Sequence, residues 1–211
     1  MKNLLIAAAC AATASPALAG YTVTSSDAPA PTYSTTLNFD EGGVPVGTAI
    51  GSDAFASFGV SSLAAGDGFN RIENFSSTPG FGWLPNSNAF IGGFGVFMNF
   101  ENDITEFSAQ VWDNSGPATL FGGGMFLVLL NDGVEVSFNL IENPAFGGVG
   151  DSWFNITTDG GDVFDEIRFV GAGFAGPLTI MGEASWNAVP APSAFALLGL
   201  GGLVANRRRR A

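Results

Sequence analysis

The sequence has no histidine and only one cysteine, Cys10, close to its start. Without histidine a chain cannot build Ser-His-Asp or Cys-His nucleophilic arrangements, nor use an imidazole as general base. With one cysteine it forms no internal disulfide, and zinc sites of the usual Cys/His kind are excluded. Positive charge is scarce as well. Of seven Lys and Arg residues only Arg71 and Arg168 stand between the two ends, whereas all nineteen Asp and Glu lie between Asp27 and Glu183. A nucleic-acid partner requires a basic face to neutralise phosphates, so the composition excludes one. Self-repulsion on this scale is tolerated through salt, divalent cations or counter-charged polymer, which points to a saline or cation-rich exterior. The body also lacks any sustained amphipathic helical stripe.

What is present begins with the ends. Lys2, the apolar run Leu4 to Ala14, and Ala17-Leu18-Ala19 before Gly20 follow the charged, apolar, small-residue order of a secretory signal peptide. Cleavage is expected after Ala19, with Gly20 as the new first residue. The apolar run is too short to cross ~30 Å of hydrocarbon as a retained helical anchor. Cys10 raises the alternative of an acylated lipoprotein. Against it, Ala7 stands where a larger aliphatic residue is expected, and the apolar region between Lys2 and such a cut would almost vanish.

At the other end Val189-Pro190-Ala191-Pro192-Ser193 precedes the apolar, glycine-containing stretch Ala194 to Ala205, then Asn206 and Arg207, Arg208, Arg209 and Arg210. The prolines deny a continuous helix into the body. The arginines would stay on the cytoplasmic side while the apolar stretch enters the bilayer. As a helix that stretch spans roughly 18 Å at 1.5 Å per residue, a poor permanent anchor but a good transient stop. This tail resembles a PEP-CTERM sorting domain, with Ala191 where the family usually has glutamate. The resemblance covers about Val189 to Ala211. It implies an exosortase and the export machinery as partners, transient inner-membrane insertion, and a secreted or cell-surface destination in a Gram-negative bacterium.

The expected organisation is a signal peptide at 1–19, a Ser/Thr/Pro/Ala-rich linker at 20–36, one domain at 37–188 and the sorting tail at 189–211. Between Leu37 and Trp186 the pattern is one of short strands with glycine-rich turns. Ile104 to Trp112 alternates, with Phe107, Ala109 and Val111 on one face and Glu106, Ser108 and Gln110 on the other, the period of a half-buried strand. Val134 to Leu140 repeats this, with Val134, Val136, Phe138 and Leu140 expected inward and Glu135, Ser137 and Asn139 toward water. Asn131-Asp132-Gly133 suits a tight hairpin joining it to Met125–Leu130. Further strands are expected at Thr35–Phe39, Ala54–Val60, Ala89–Phe100, Ser152–Thr157, Val163–Val170 and Leu178–Trp186. Many short strands with abundant Phe argue for an all-β fold, an antiparallel sandwich of jelly-roll or lectin-like type. A signal helix would precede it and a short apolar helix would follow it. Leu37-Asn38-Phe39-Asp40 and Phe164-Asp165-Glu166-Ile167-Arg168-Phe169 are similar to the first and penultimate strands of sandwich domains that often precede PEP-CTERM tails.

Chemistry is sparse. Glu101-Asn102-Asp103-Ile104-Thr105-Glu106 has the Glu-x-Asp-x-x-Glu spacing of jelly-roll glycosidases of the laminarinase type. That resemblance implies Glu101 as nucleophile, Asp103 as its modulator and Glu106 as acid/base. Asn102 stands where that family has an apolar residue, and Asn102-Asp103 also reads as a turn before the strand at Ile104. Asp40-Glu41 and Asp159-Gly160-Gly161-Asp162 could offer oxygens to Ca2+, or simply be polar turns, since neither matches a known calcium loop. No other cofactor, metal site or catalytic residue is expected. Trp83, in the loop Phe81-Gly82-Trp83-Leu84-Pro85, is the best of four tryptophans for stacking on a sugar; Trp112, Trp153 and Trp186 are expected to pack in the core. Asn74-Phe75-Ser76 and Asn155-Ile156-Thr157 match a glycosylation sequon, read here as coincidence. The expectation is a non-catalytic exported surface or matrix protein among extracellular polysaccharides, with a carbohydrate-binding module or weak glycosidase as the alternative.

Overall fold

The computed structural model describes residues 20–27, 31–41, 43–75, 88–113, 125–141, 152–171 and 178–189. The cleavage residues Ala17 and Ala19, the motif Pro190–Ser193, Arg207–Arg210, and both terminal segments expected as helices lie outside the described residues. Among those described, the chain forms strands and one turn of 3-10 helix, Ala56–Phe58. The strands are β1 (Tyr21–Ser26), β2 (Thr35–Leu37), β3 (Val60–Ala65), β4 (Arg71–Asn74), β5 (Asn88–Gly93), β6 (Val96–Asp113), β7 (Met125–Asn131), β8 (Val134–Ile141), β9 (Trp153–Thr158), β10 (Phe164–Gly171) and β11 (Leu178–Ala188).

β6 organises the fold because it belongs to two sheets. Its first part, Val96 to Phe100, pairs with β3 on one side and β10 on the other. Its second part, Ile104 to Asp113, pairs with β11 and β9. Between Phe164 and Glu166 of β10, the register on β6 jumps from Ile104 to Asn99. The residues in between are extra to the ladder, and such an insertion bends a strand out of one sheet into another. The first sheet therefore runs β3-β6-β10-β7-β8. The second runs β1-β9-β6-β11, with β2 and the β5–β4 pair sharing the far edge of β11. All of these strand pairings are antiparallel, and the fold is an all-β sandwich.

Phenylalanine fills the space between the sheets. Phe169 of β10 meets Phe107 of β6 at 6.4 Å and Phe154 of β9 at 5.9 Å between ring centroids. Phe100, at the bend, meets Phe107 at 6.0 Å, Phe164 at 6.5 Å and Trp186 at 5.4 Å. Fully burying each such side chain contributes roughly 1.5–3 kcal/mol, which lets an aromatic layer hold a fold that has no disulfide.

Several expectations are corrected. The stretch 20–36, expected as a linker, contributes β1, paired with β9 from Tyr21↔Thr158 to Ser26↔Trp153. Its later residues cross the outer face of the second sheet: Ser108 Oγ donates to the Pro31 carbonyl at 2.9 Å and Ser34 N–H to Asn187 Oδ1 at 3.0 Å. This cover buries Ser108, expected to face water, while Phe107, Ala109 and Val111 face the core as anticipated. β1 also makes Leu37–Asp40 part of the second strand region rather than the first; Phe164–Gly171 is the penultimate strand.

Ala54–Val60, expected as a strand, is a turn and the 3-10 helix. Phe55 reaches Phe39 edge-on at 5.5 Å from that turn, and Gly59, at φ 82°, ends it in the left-handed region. The expected strand Ala89–Phe100 is two, broken where Phe94 and Gly95 both take positive φ. The hairpin at Asn131-Asp132-Gly133 forms as expected, with Asp132 and Gly133 at φ 50° and 75°.

From Ser137 onward the faces of β8 are reversed, past a register shift opposite Leu129 and Leu130; before it Glu135 is exposed and Val136 packs against the core, as expected. Ser137 and Ile141 are buried, whereas Val134, Phe138 and Leu140 are 65%, 54% and 52% exposed. Cross-strand partners share a face, and the register pairs Ser137 with the buried Leu129 but Phe138 with the half-buried Val128. β7 is apolar on both sides, so the apolar residues of β8 match its outer side as readily as its inner one.

Candidate functional site

The reversal of β8 gives the first sheet an apolar outer face. Register aligns Ala64, Phe97, Arg168, Val128 and Phe138 in one row across β3, β6, β10, β7 and β8. Val170, Phe126 and Leu140 form the adjacent row. At ~4.8 Å per strand, Phe97 and Phe138 stand roughly 14 Å apart. Phe126 and Phe138 lie with centroids 5.2 Å apart and a 34° tilt, so the two rings overlap in a tilted, offset stack that makes a small aromatic platform, Phe138 being the more exposed. At the other end the Arg168 guanidinium sits over the Phe97 ring, 5.5 Å from its centroid, and its Nε donates to Glu166 Oε1. Glu166 is buried, so this charge-assisted bond holds the arginine flat against the sheet. Asn99 Nδ2 donates to Ser62 Oγ at 3.0 Å beside it. Phe138 and Leu140 are exposed on this face and the other residues of the two rows are half-buried, so apolar groups reach water there beside one charged pair.

Arg71, the other cation of the body, is arranged alike. It lies over Phe69 at 5.8 Å and 3.5 Å from a carboxylate oxygen of Glu73. Both arginines are thus matched by a carboxylate, and neither builds a basic patch.

The residues singled out from sequence lie elsewhere. Glu101 and Asp103 are exposed at the bend of β6, which is extended there rather than a turn. The Glu101 N–H donates to the Gly59 carbonyl at 2.9 Å, and the Asp103 carbonyl accepts the Val189 N–H at 2.7 Å. Glu106 lies on the outer side of the second sheet, where it accepts from Asn187 Nδ2. Burial, and then the charge of Glu106, raise the pKa of the nearby Tyr33 above its ordinary value. Glu106 thus bonds through its carboxylate, whereas the bonds at Glu101 and Asp103 are made by the backbone, and the three side chains are spread along the strand.

Among the described residues no three Asp or Glu side chains converge on a point that could hold a cation. Glu41 accepts from the Asn38 N–H at 3.1 Å, and Asp162 N–H donates to the Asp159 carbonyl at 3.1 Å; both strings act as polar turns. Trp83 lies outside the described residues. Trp112 and Trp186 are buried and Trp153 is half-buried. Trp112 packs with Ala89 and Ile180 in a small cluster apart from the main core. Of the two sequon residues, Asn155 is on a strand paired on both sides and its Oδ1 is buried, and Asn74 donates to Asn88 Oδ1 at 2.8 Å.

No family model matches the chain and no curated protein is similar to it. Among solved structures it is similar to a glycoside hydrolase family 43 arabinoxylan arabinofuranohydrolase from Bacillus subtilis, crystallised in complex with cellotetraose. That likeness has a TM-score of 0.35 at 17% identity, over 58% of this chain and 25% of the enzyme, so the chain spans a quarter of its length. Similarity at this level carries neither activity nor substrate across.

Proposed function

We propose that the chain is a non-catalytic exported protein of the cell surface or extracellular matrix. A signal peptide delivers it and an exosortase sorts it through the PEP-CTERM-like tail. The observation that carries this reading is the apolar outer face of the first sheet, where Phe138 and Leu140 are more than half exposed, a surface that supports contact with a partner. β11 ends at Ala188, and the Val189 N–H donates to the Asp103 carbonyl, so the last strand is complete before the Pro190 at which the sorting motif continues. Mass spectrometry of the surface fraction is expected to show a C-terminus near Pro192. Recovery of chains that keep Arg207–Arg210 would overturn the sorting reading.

The platform favours extracellular polysaccharide as the partner. Phe138, more than half exposed, offers a ring on which a pyranose could stack, and the half-exposed Arg168 guanidinium in the same row of the sheet offers hydrogen-bond donors. Phe138→Ala is expected to weaken polysaccharide binding about 2–10-fold, the worth of one aromatic contact. Its Tm should fall by no more than about 5 °C, since the ring is half in water and what it loses is its contact with Phe126. A glycan array blank for the unsubstituted protein would leave the purely structural role.

A further inference from the structure

The start of β1 presses against an acidic turn. Gly20 accepts the Asp159 N–H through its carbonyl at 2.7 Å. A Cβ on Gly20 would overlap Asp162 Oδ2 and lie 2.8 Å from its Cγ, so glycine alone lets the chain start approach this carboxylate. Gly20 is at φ 124°, in the region favourable only to glycine. Gly160 and Gly161, at φ 67° and 96°, fold the turn that brings Asp159 and Asp162 together here. Beyond it the Tyr21 hydroxyl donates to the Val163 carbonyl at 2.8 Å. Burial, and after it the Asp162 charge, raise the Tyr21 pKa, so the negative field is felt at this chain start. Both arginines of the body pair with other carboxylates, Glu73 and Glu166, leaving Asp162 to another cation.

We propose that this turn is a receptor for the chain's own processed N-terminus: removal of residues 1–19 frees an α-ammonium on Gly20 that pairs with the Asp162 carboxylate. The inference rests on the export reading. Hydrolysis of the Ala19–Gly20 amide consumes one water. It leaves a carboxylate on Ala19 and, with the released proton, an ammonium on Gly20, one ~1.46 Å bond from the Cα beside Asp162 Oδ2. An α-amino group of ordinary pKa 7.7–8.0 is mostly charged at neutral pH. The consequence falls on β1, a largely polar strand whose ladder partner among the described residues is β9. Before cleavage the strand begins in a neutral amide facing carboxylates; afterwards its first atom carries the complementary charge. Export would thereby fasten the last-exposed edge of the second sheet.

The test compares chains beginning at Gly20 or at Pro16, both running to Ala211, each with Asp162 or with Asp162→Asn. At neutral pH and low salt the extension is expected to lower Tm by about 1–3 °C with Asp162 present, as for an exposed ion pair. It should have no effect in Asp162→Asn. Acetylating the Gly20 α-amino group, which removes the charge without lengthening the chain, should mimic the extension. Gly20 should also titrate above the ordinary α-amino range, returning to it in Asp162→Asn while Asp159 and Tyr21 remain. Equal Tm shifts in both backgrounds, or an unshifted α-amino group, would overturn the pairing. N-terminal sequencing of the chain from an exporting cell is the separate check: a start other than Gly20 would sink the export reading whatever the cycle shows.

Discussion

Phe100→Ala is expected to remove about 3–5 kcal/mol of stability, the usual cost of emptying a buried aromatic site. Its ring lies where β6 leaves the first sheet for the second, against Phe107 of the same strand, Phe164 of β10 and Trp186 of β11. Neighbours on three strands and both sheets cannot all close on the void, because each is held by its own ladder. Equilibrium denaturation should show a lower midpoint with an unchanged slope, the mark of lost stability without a changed unfolded state. In a protein of this size each kcal/mol is worth roughly 2–4 °C of Tm. A loss below about 1 kcal/mol would mean that the bend is not a packed junction and that the two sheets are held together elsewhere.

Gly92→Ala is the second large effect, with a backbone cause. The chain leaves β5 in the second sheet and enters β6 in the first through Phe94 and Gly95. There the Gly95 carbonyl folds back over Gly92, and a Cβ at Gly92 would overlap its oxygen and lie 2.8 Å from its carbon. Neither can yield cheaply. Gly95 O accepts the Gly66 N–H at 3.1 Å, and a Cβ on Gly95 itself would come within 2.5 Å of the Phe169 carbonyl. Overpacking of this kind costs about 1–3 kcal/mol. Denaturant titration should find that loss, and amide exchange in β5 and in the first residues of β6 should accelerate more than in β7. A neutral substitution would show that the crossing relaxes by moving whole strands.

The candidate site was hidden from sequence for a definite reason. Phe97 and Arg168 meet because β6 and β10 are neighbours, and Phe126 and Phe138 because a hairpin sets their register; no local pattern announces either pair. Local pattern favours Trp83 instead, which lies outside the described residues, while Trp112 and Trp186 are buried as expected. A usable signal existed in β7, where Met125 to Leu130 is apolar at every position. A strand apolar on both sides implies that one of its faces is covered by something other than the core, or by nothing. The Glu101–Glu106 string is not legible from local pattern, which resembles a catalytic spacing and also reads as a turn: it lies in β6 where that strand passes from one sheet to the other.

Composition and local pattern alone decided the all-β class, the exclusion of histidine chemistry, the scarcity of positive charge between Asp27 and Glu183, and the hairpin at Asn131-Asp132-Gly133, because each depends on residue type or on a few adjacent dihedrals. Tertiary structure decided the rest: that β6 serves two sheets, that residues 21–26 are a strand, that residues 31–34 cover Ser108, and that Phe138 and Leu140 look outward. Alternation with a period of two defines two faces and is blind to which one is buried. Only pairing with distant strands breaks that symmetry, and the interactions that do so are long-range by nature.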